Sequence, residues 1–180
     1  MKINILNIFK IKNHKYFSNK NINIKIKLKI IKLLLVSMLH DSKEVLMLIN
    51  RDTFNDAITS DTSESRVGFT EEMNYTLKTS NSTFILMHNH PSNSNFTIQD
   101  LVVFLDKDRI TELFVVTNNC MYIAAIKKNY NIYDIHIKKR LIIFVLNYTR
   151  ANKLTMHSNA IGIIEKLVKE NLIYIEFKNY

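Results

Sequence analysis

Residues 83–100, TFILMHNHPSNSNFTIQD, decide how the rest of the chain is read. The first eight form an apolar run that ends in two histidines one residue apart, and the run stops at Pro91, the one proline of the chain. A short apolar run bounded by a turn signal predicts a buried strand. Side chains alternate faces along a strand, so His88 and His90 point to one side and Asn89 to the other. Pro91 has no N–H to give to a ladder and sends the chain into a loop. Thr97 followed three residues later by Asp100 is a capping-box-like helix start, with aspartate standing in for the usual glutamate. One reading of these residues is an ordinary strand end, turn and helix. The other is a metal site: a loop of this length folds back far enough to bring Asp100 to the imidazole pair, and two imidazoles with one carboxylate make a three-ligand site of the catalytic zinc type.

Working outward, EVLMLIN (44–50) suits a buried strand, and DAITSDTS (56–63) a more polar strand paired to it through the RDTFN turn. FTEEMNYTLKTSN (69–81) places Phe69, Met73 and Leu77 at helical spacing, with Thr70 as N-cap and Glu71 and Glu72 in the first turn, where the helix dipole favours negative charge. ELFVVTNNCMYIAAIKK (112–128) is two β-rich runs joined by Asn118 and Asn119, a residue type that tolerates a tight hairpin turn. Beyond about residue 134 come two helical stretches, KKRLIIFVLNYTRAN and NAIGIIEKLVKEN, and an alternating run, LIYIEF, suited to an edge strand. The expected organisation is a basic arm over 1–40, an α/β domain over 41–130 and a helical C-terminal extension over 131–180.

With 180 residues and 47% apolar composition, the chain can bury one core of ordinary domain size. Its net charge of +9 is carried by the arm, whose nine lysines are accompanied by no acidic residue, so the remainder is neutral and gives no electrostatic reason to expect a phosphate-backbone partner. Nucleic acid is expected only through the arm, if at all. Three readings of the arm stay open: a membrane or nucleic-acid contact, an upstream extension with translation starting near Met38, or a peripheral helix or strand tied to the core. Its apolar run is shorter than the roughly 20 residues a bilayer span needs, and no signal-peptide cleavage region follows, so a soluble cytoplasmic protein with no transmembrane segment is expected. The single cysteine, Cys120, excludes an intramolecular disulfide framework and a cysteine-built zinc site, which fits a reducing compartment.

Hydrolysis at a zinc site needs a group to take the proton of the attacking water and deliver it to the leaving amine. Glu44, a charge at the start of a buried strand, is the best candidate. Glu64 lies in a polar loop, and Glu71 and Glu72 have a sufficient role at a helix start. His40, His136 and His157 show no partner pattern and read as surface or satisfied residues. Cys120 reads as a packing residue.

Together these residues resemble the JAMM (JAB, MPN) zinc metalloproteases, whose signature is an upstream glutamate, then H-x-H-P, then a serine and an aspartate separated by two residues. HNHPS looks most like the RadC-like branch, and the loop SNSNF resembles that of JAB domains in phage head-morphogenesis and toxin-like proteins. The resemblance covers roughly residues 43–127. It implies a cytidine-deaminase-like α/β fold, a mixed sheet flanked by helices, with His88, His90 and Asp100 binding Zn²⁺. It further implies Glu44 as general acid/base and Thr97 in place of the serine that steadies the tetrahedral intermediate. The implied activity is hydrolysis of peptide or isopeptide bonds, those of ubiquitin-like conjugates included. The alternative is a non-catalytic JAB-fold binding or assembly module, phage-derived or associated with DNA repair. The chain departs from the pattern in a His90-to-Asp100 spacing one residue shorter than usual and in threonine for serine.

Overall fold

A computed structural model describes residues 24–41, 43–60, 68–92, 94–117, 122–132 and 134–179. Most of the arm, Glu64, Cys120 and the Asn118–Asn119 turn lie outside the described residues. The elements run α1 (Ile24–Leu39), β1 (Val45–Asn50), β2 (Asp56–Ser60), α2 (Glu71–Thr79), β3 (Phe84–His90), α3 (Ile98–Asp106), β4 (Ile110–Thr117), β5 (Tyr122–Lys128), α4 (Ile135–Ala151), α5 (Ile161–Lys169) and β6 (Ile173–Asn179).

The strands form one mixed sheet in the order β2-β1-β3-β4-β5-β6. β3 and β4 are parallel and every other neighbouring pair is antiparallel. The two expected hairpins, β1–β2 and β4–β5, are present, and the final run is the strand at one edge. The β1–β2 turn is closed by the Asn50 side chain, whose Oδ1 accepts the N–H groups of Asp52 and Thr53 at 2.9 and 3.0 Å. That local bond is what asparagine offers a turn.

Strand alternation sorts the core onto two faces. Leu46, Leu48, Leu86, Leu113 and Val115 pack under α2, α3, α4 and α5 through side chains such as Met73, Leu101, Phe104, Val145 and Ile164. Val45, Met47, Ile49, Ile85 and Met87 face the other way, under Ile26, Ile30, Leu33 and Leu34 of α1. The apolar residues of α1 recur at helical spacing; Lys27 is buried among them, whereas Lys29 and Lys32 both reach the Asp56 carboxylate on β2, the latter at 2.5 Å. The alternating IKIKLK run therefore lies in a helix, because the period that governs it is that of IIKLLLVSML behind it. The hydrophobic core draws on the chain from Ile26 to Ile173. Among the described residues no helix is long and apolar enough to cross a membrane.

Candidate metal centre

β3 is buried along its whole length, and its last residues carry the histidines. His88 pairs with Leu46 across the antiparallel ladder, so continuing that register sets Glu44 opposite His90 and on the same face. His88 and His90 are both buried, at 3% and 6% exposure, and their Nε2 atoms lie 2.9 Å apart. Two imidazole lone pairs at that distance repel unless a proton or a cation lies between them. Glu44, His88 and His90 each offer a ligand atom, and the three atoms lie within 4.8 Å of one another.

Asp100 arrives from the first turn of α3. Thr97 is the N-cap: its Oγ1 accepts the Asp100 N–H at 3.2 Å, and Asp100 Oδ2 accepts the Thr97 N–H at 2.7 Å. This capping box fixes the carboxylate with Oδ1 3.3 Å from His88 Nε2 and Oδ2 3.4 Å from His90 Nε2. Asp100 thus holds the helix start and faces the histidine pair at once, and the shortened loop does not keep it away. Tetrahedral zinc with ligand bonds of about 2.0–2.1 Å sets its ligand atoms about 3.3 Å apart. The spacings among His88, His90 and Asp100 cluster around that value, and the donor set of imidazole and carboxylate suits zinc.

The electrostatics agree with the geometry. Burial alone would raise the pKa of Asp100, but the charges and hydrogen bonds of His88 and His90 outweigh it and hold the group far below the usual carboxylate range. Burial opposes protonation of His90, and the hydrogen bond and charge of Asp100, the Ser94 carbonyl and the charge of Glu44 together push its pKa above the ordinary imidazole value. His90 Nδ1 lies 3.0 Å from the Ser94 carbonyl oxygen. The Ser94 hydroxyl lies 3.1 Å from the same nitrogen; a carbonyl only accepts, and in the tautomer with the proton on Nδ1 the Nε2 lone pair is presented to the site.

Two contributions escaped the sequence reading. Asn89 points away from the cavity, yet it frames Glu44: its Oδ1 accepts the Val45 N–H at 2.7 Å, and its Nδ2 donates to the Lys43 carbonyl at 3.3 Å and to Ser37 Oγ on α1 at 3.0 Å. Asn89 therefore grips the backbone on both sides of the proposed base. The second is His157, read from the sequence as a surface or satisfied residue: it is exposed, and it also lines the site's cavity of about 210 Å³. Neither had a local signal, since Asn89 acts through contacts with distant segments and the turn carrying His157 is placed by its backbone contacts with the start of α3. Thr97 and Gln99 also line the cavity, with apolar walls from Leu46, Phe69, Leu86 and Val103. Glu71 and Glu72 occupy the first turn of α2, as expected.

Comparison with protein-family models, with curated proteins and with solved structures finds no match to this chain. The resemblance at residues 44, 88, 90, 97 and 100 rests on those residues and their arrangement.

Proposed function

We propose that the chain is a zinc-dependent hydrolase of peptide or isopeptide bonds, of JAMM type. The observation that carries this reading is the convergence of His88, His90 and Asp100 at near-tetrahedral spacing with Glu44 beside them. In this reading His88, His90 and Asp100 hold the ion. When bound, the ion supplies Lewis acidity to an amide carbonyl and to a water.

Glu44, half-buried beside the pair, takes a proton from that water and hands it to the leaving nitrogen. Thr97 Oγ1 already accepts from the Asp100 N–H, which leaves its hydroxyl hydrogen to donate toward the carbonyl oxygen as charge develops there. Leu46, Leu86, Phe69 and Val103 limit water around the scissile bond. The sheet order, with ligands at the carboxyl end of β3 and the entry of α3, supports a JAMM/MPN, cytidine-deaminase-like fold. The substrate is then a protein or peptide, ubiquitin-like conjugates among them. The absence of a second cysteine fits action in a cytoplasmic, reducing setting.

The test is zinc content measured together with hydrolysis of peptide and isopeptide libraries. His88→Ala is expected to lose zinc, and Glu44→Gln to retain it while hydrolysis falls by roughly 10²–10⁴-fold. Zinc lost from Glu44→Gln makes Glu44 a ligand rather than the base. Zinc retained by the native chain with no amide cleaved favours the non-catalytic JAB-fold module.

A further inference from the structure

The cavity is completed by a segment far from the motif. Between α4 and α5, residues Thr155–Ser158 form a turn in which the Ser158 N–H donates to the Thr155 carbonyl and the Thr155 N–H to Ser158 Oγ, both at 3.0 Å. The turn is bound to the start of α3. The first amides of an α-helix have no partner within the helix, and here Ile98 N–H donates to the Ser158 carbonyl and Gln99 N–H to the Met156 carbonyl, both at 2.9 Å. Ala160 N–H donates to the Phe96 carbonyl at 2.9 Å, and Thr97 bridges Asn159.

His157 sits between the two anchoring carbonyls, on a turn fixed to the same helical turn that presents Asp100. Its side chain lines the metal-site cavity. Among the described residues its imidazole makes no hydrogen bond and no ion pair, and it is not one of the group whose ligand atoms converge. A peptide entering the cavity must find partners for the backbone N–H and C=O groups it takes out of water. An imidazole offers one donor and one acceptor, and the backbone turn that carries this exposed side chain is anchored before the substrate arrives, so only the side chain itself has to be ordered on contact.

We propose that His157 is a substrate-binding residue of this site, hydrogen-bonding the peptide backbone to one side of the scissile amide. The proposal rests on the hydrolase reading and adds to it a residue outside the resemblance. The anchoring groups are backbone carbonyls, so His157→Ala is expected to fold with the turn in place.

The test uses the zinc-loaded full chain and calorimetric titration with two probes, acetohydroxamate and an N-acetylated dipeptide hydroxamate, beside a zinc competition titration. His157→Ala is expected to bind the dipeptide hydroxamate roughly fivefold to tenfold more weakly, the size of one net hydrogen bond. Zinc and acetohydroxamate should bind as in the native chain, and His157→Asn, which keeps a neutral donor, should recover most of the loss. Equal binding of the dipeptide probe by native chain and His157→Ala overturns the proposal. So does a fall in zinc affinity, which makes His157 a ligand. No zinc uptake by the native chain ends the hydrolase reading and this proposal together, whereas a dipeptide-specific loss with no amide cleaved ends the hydrolase reading alone and leaves His157 a peptide contact.

Discussion

Asn89→Ala tests whether the framing of Glu44 is structural in the way the hydrogen bonds suggest. Asn89 is fully buried. Its removal orphans the Val45 N–H, which costs about 1–3 kcal/mol as an unpaired buried donor. The bonds to Lys43 and Ser37 cost less, because Ser37 Oγ still donates to the Lys43 carbonyl at 2.6 Å. Each of them forfeits about 0.5 kcal/mol or somewhat more, for an expected total near 3 kcal/mol, which is a large share of a typical folding free energy of about 5–15 kcal/mol. In a chain of this size that lowers Tm by about 6–12 °C. Urea unfolding followed by circular dichroism measures it, with the m-value checked so that a change in midpoint reads as stability. On the hydrolase reading proposed above, zinc should still bind through His88 and His90, while turnover falls because the backbone at residues 43–45 is released. Asn89→Asp keeps the acceptor for Val45 but loses the donor and buries a charge, so it should be at least as damaging. A loss below about 1 kcal/mol with turnover unchanged would refute the argument, since one orphaned donor alone sets that floor.

Three further outcomes follow from single contacts. Thr97→Ala removes the N-cap acceptor of α3 and should cost about 1 kcal/mol, whereas Thr97→Ser should remain near the native value in the same urea assay. For Asp56, burial would raise the pKa, but the hydrogen bonds and charges of Lys29 and Lys32 outweigh it and the folded pKa lies below the ordinary 3.8. The stability from these pairs is therefore complete above that value and lost as pH falls through the folded pKa, so the gap between native chain and Asp56→Asn should be widest at neutral pH and close in acid; a gap constant with pH excludes this. Lys128 is pushed down to about 7 from 10.5, chiefly by burial. Between those values the unfolded chain binds more protons, so stability should rise with pH from about 7 to 10, a slope that Lys128→Met should flatten.

How much was legible depended on whether a feature was local. The HNHP strand, the Thr97–Asp100 capping box and both hairpins could be read because period, turn residues and cap spacing are set within a few residues of one another. The shared face of His88 and His90 followed from strand parity, whereas placing Glu44 on that face needed the register between β1 and β3. Helix Ile24–Leu39 was ambiguous because its first half alternates like a strand, and the sheet face it covers decides the outcome. Asn89 was passed over because its side chain leaves the cavity, and its value comes from meeting Ser37, Lys43 and Val45 on the other face. His157 had no motif because its placement depends on carbonyls of its own turn meeting amides of α3.

The docking of Thr155–Ser158 onto the start of α3 also bears on how the protein is made. During synthesis the proposed ligands at positions 88, 90 and 100 emerge well before position 157, and at about 5–20 residues per second the intervening 57 residues take roughly 3–11 s. Through that interval the leading amides of α3 lack the carbonyls that later satisfy them. A nascent chain thus carries its histidine pair before the turn that lines one side of the cavity, so on the metal-site reading ion capture can precede completion of the cavity, and a chain stalled before the turn would present the pair without it.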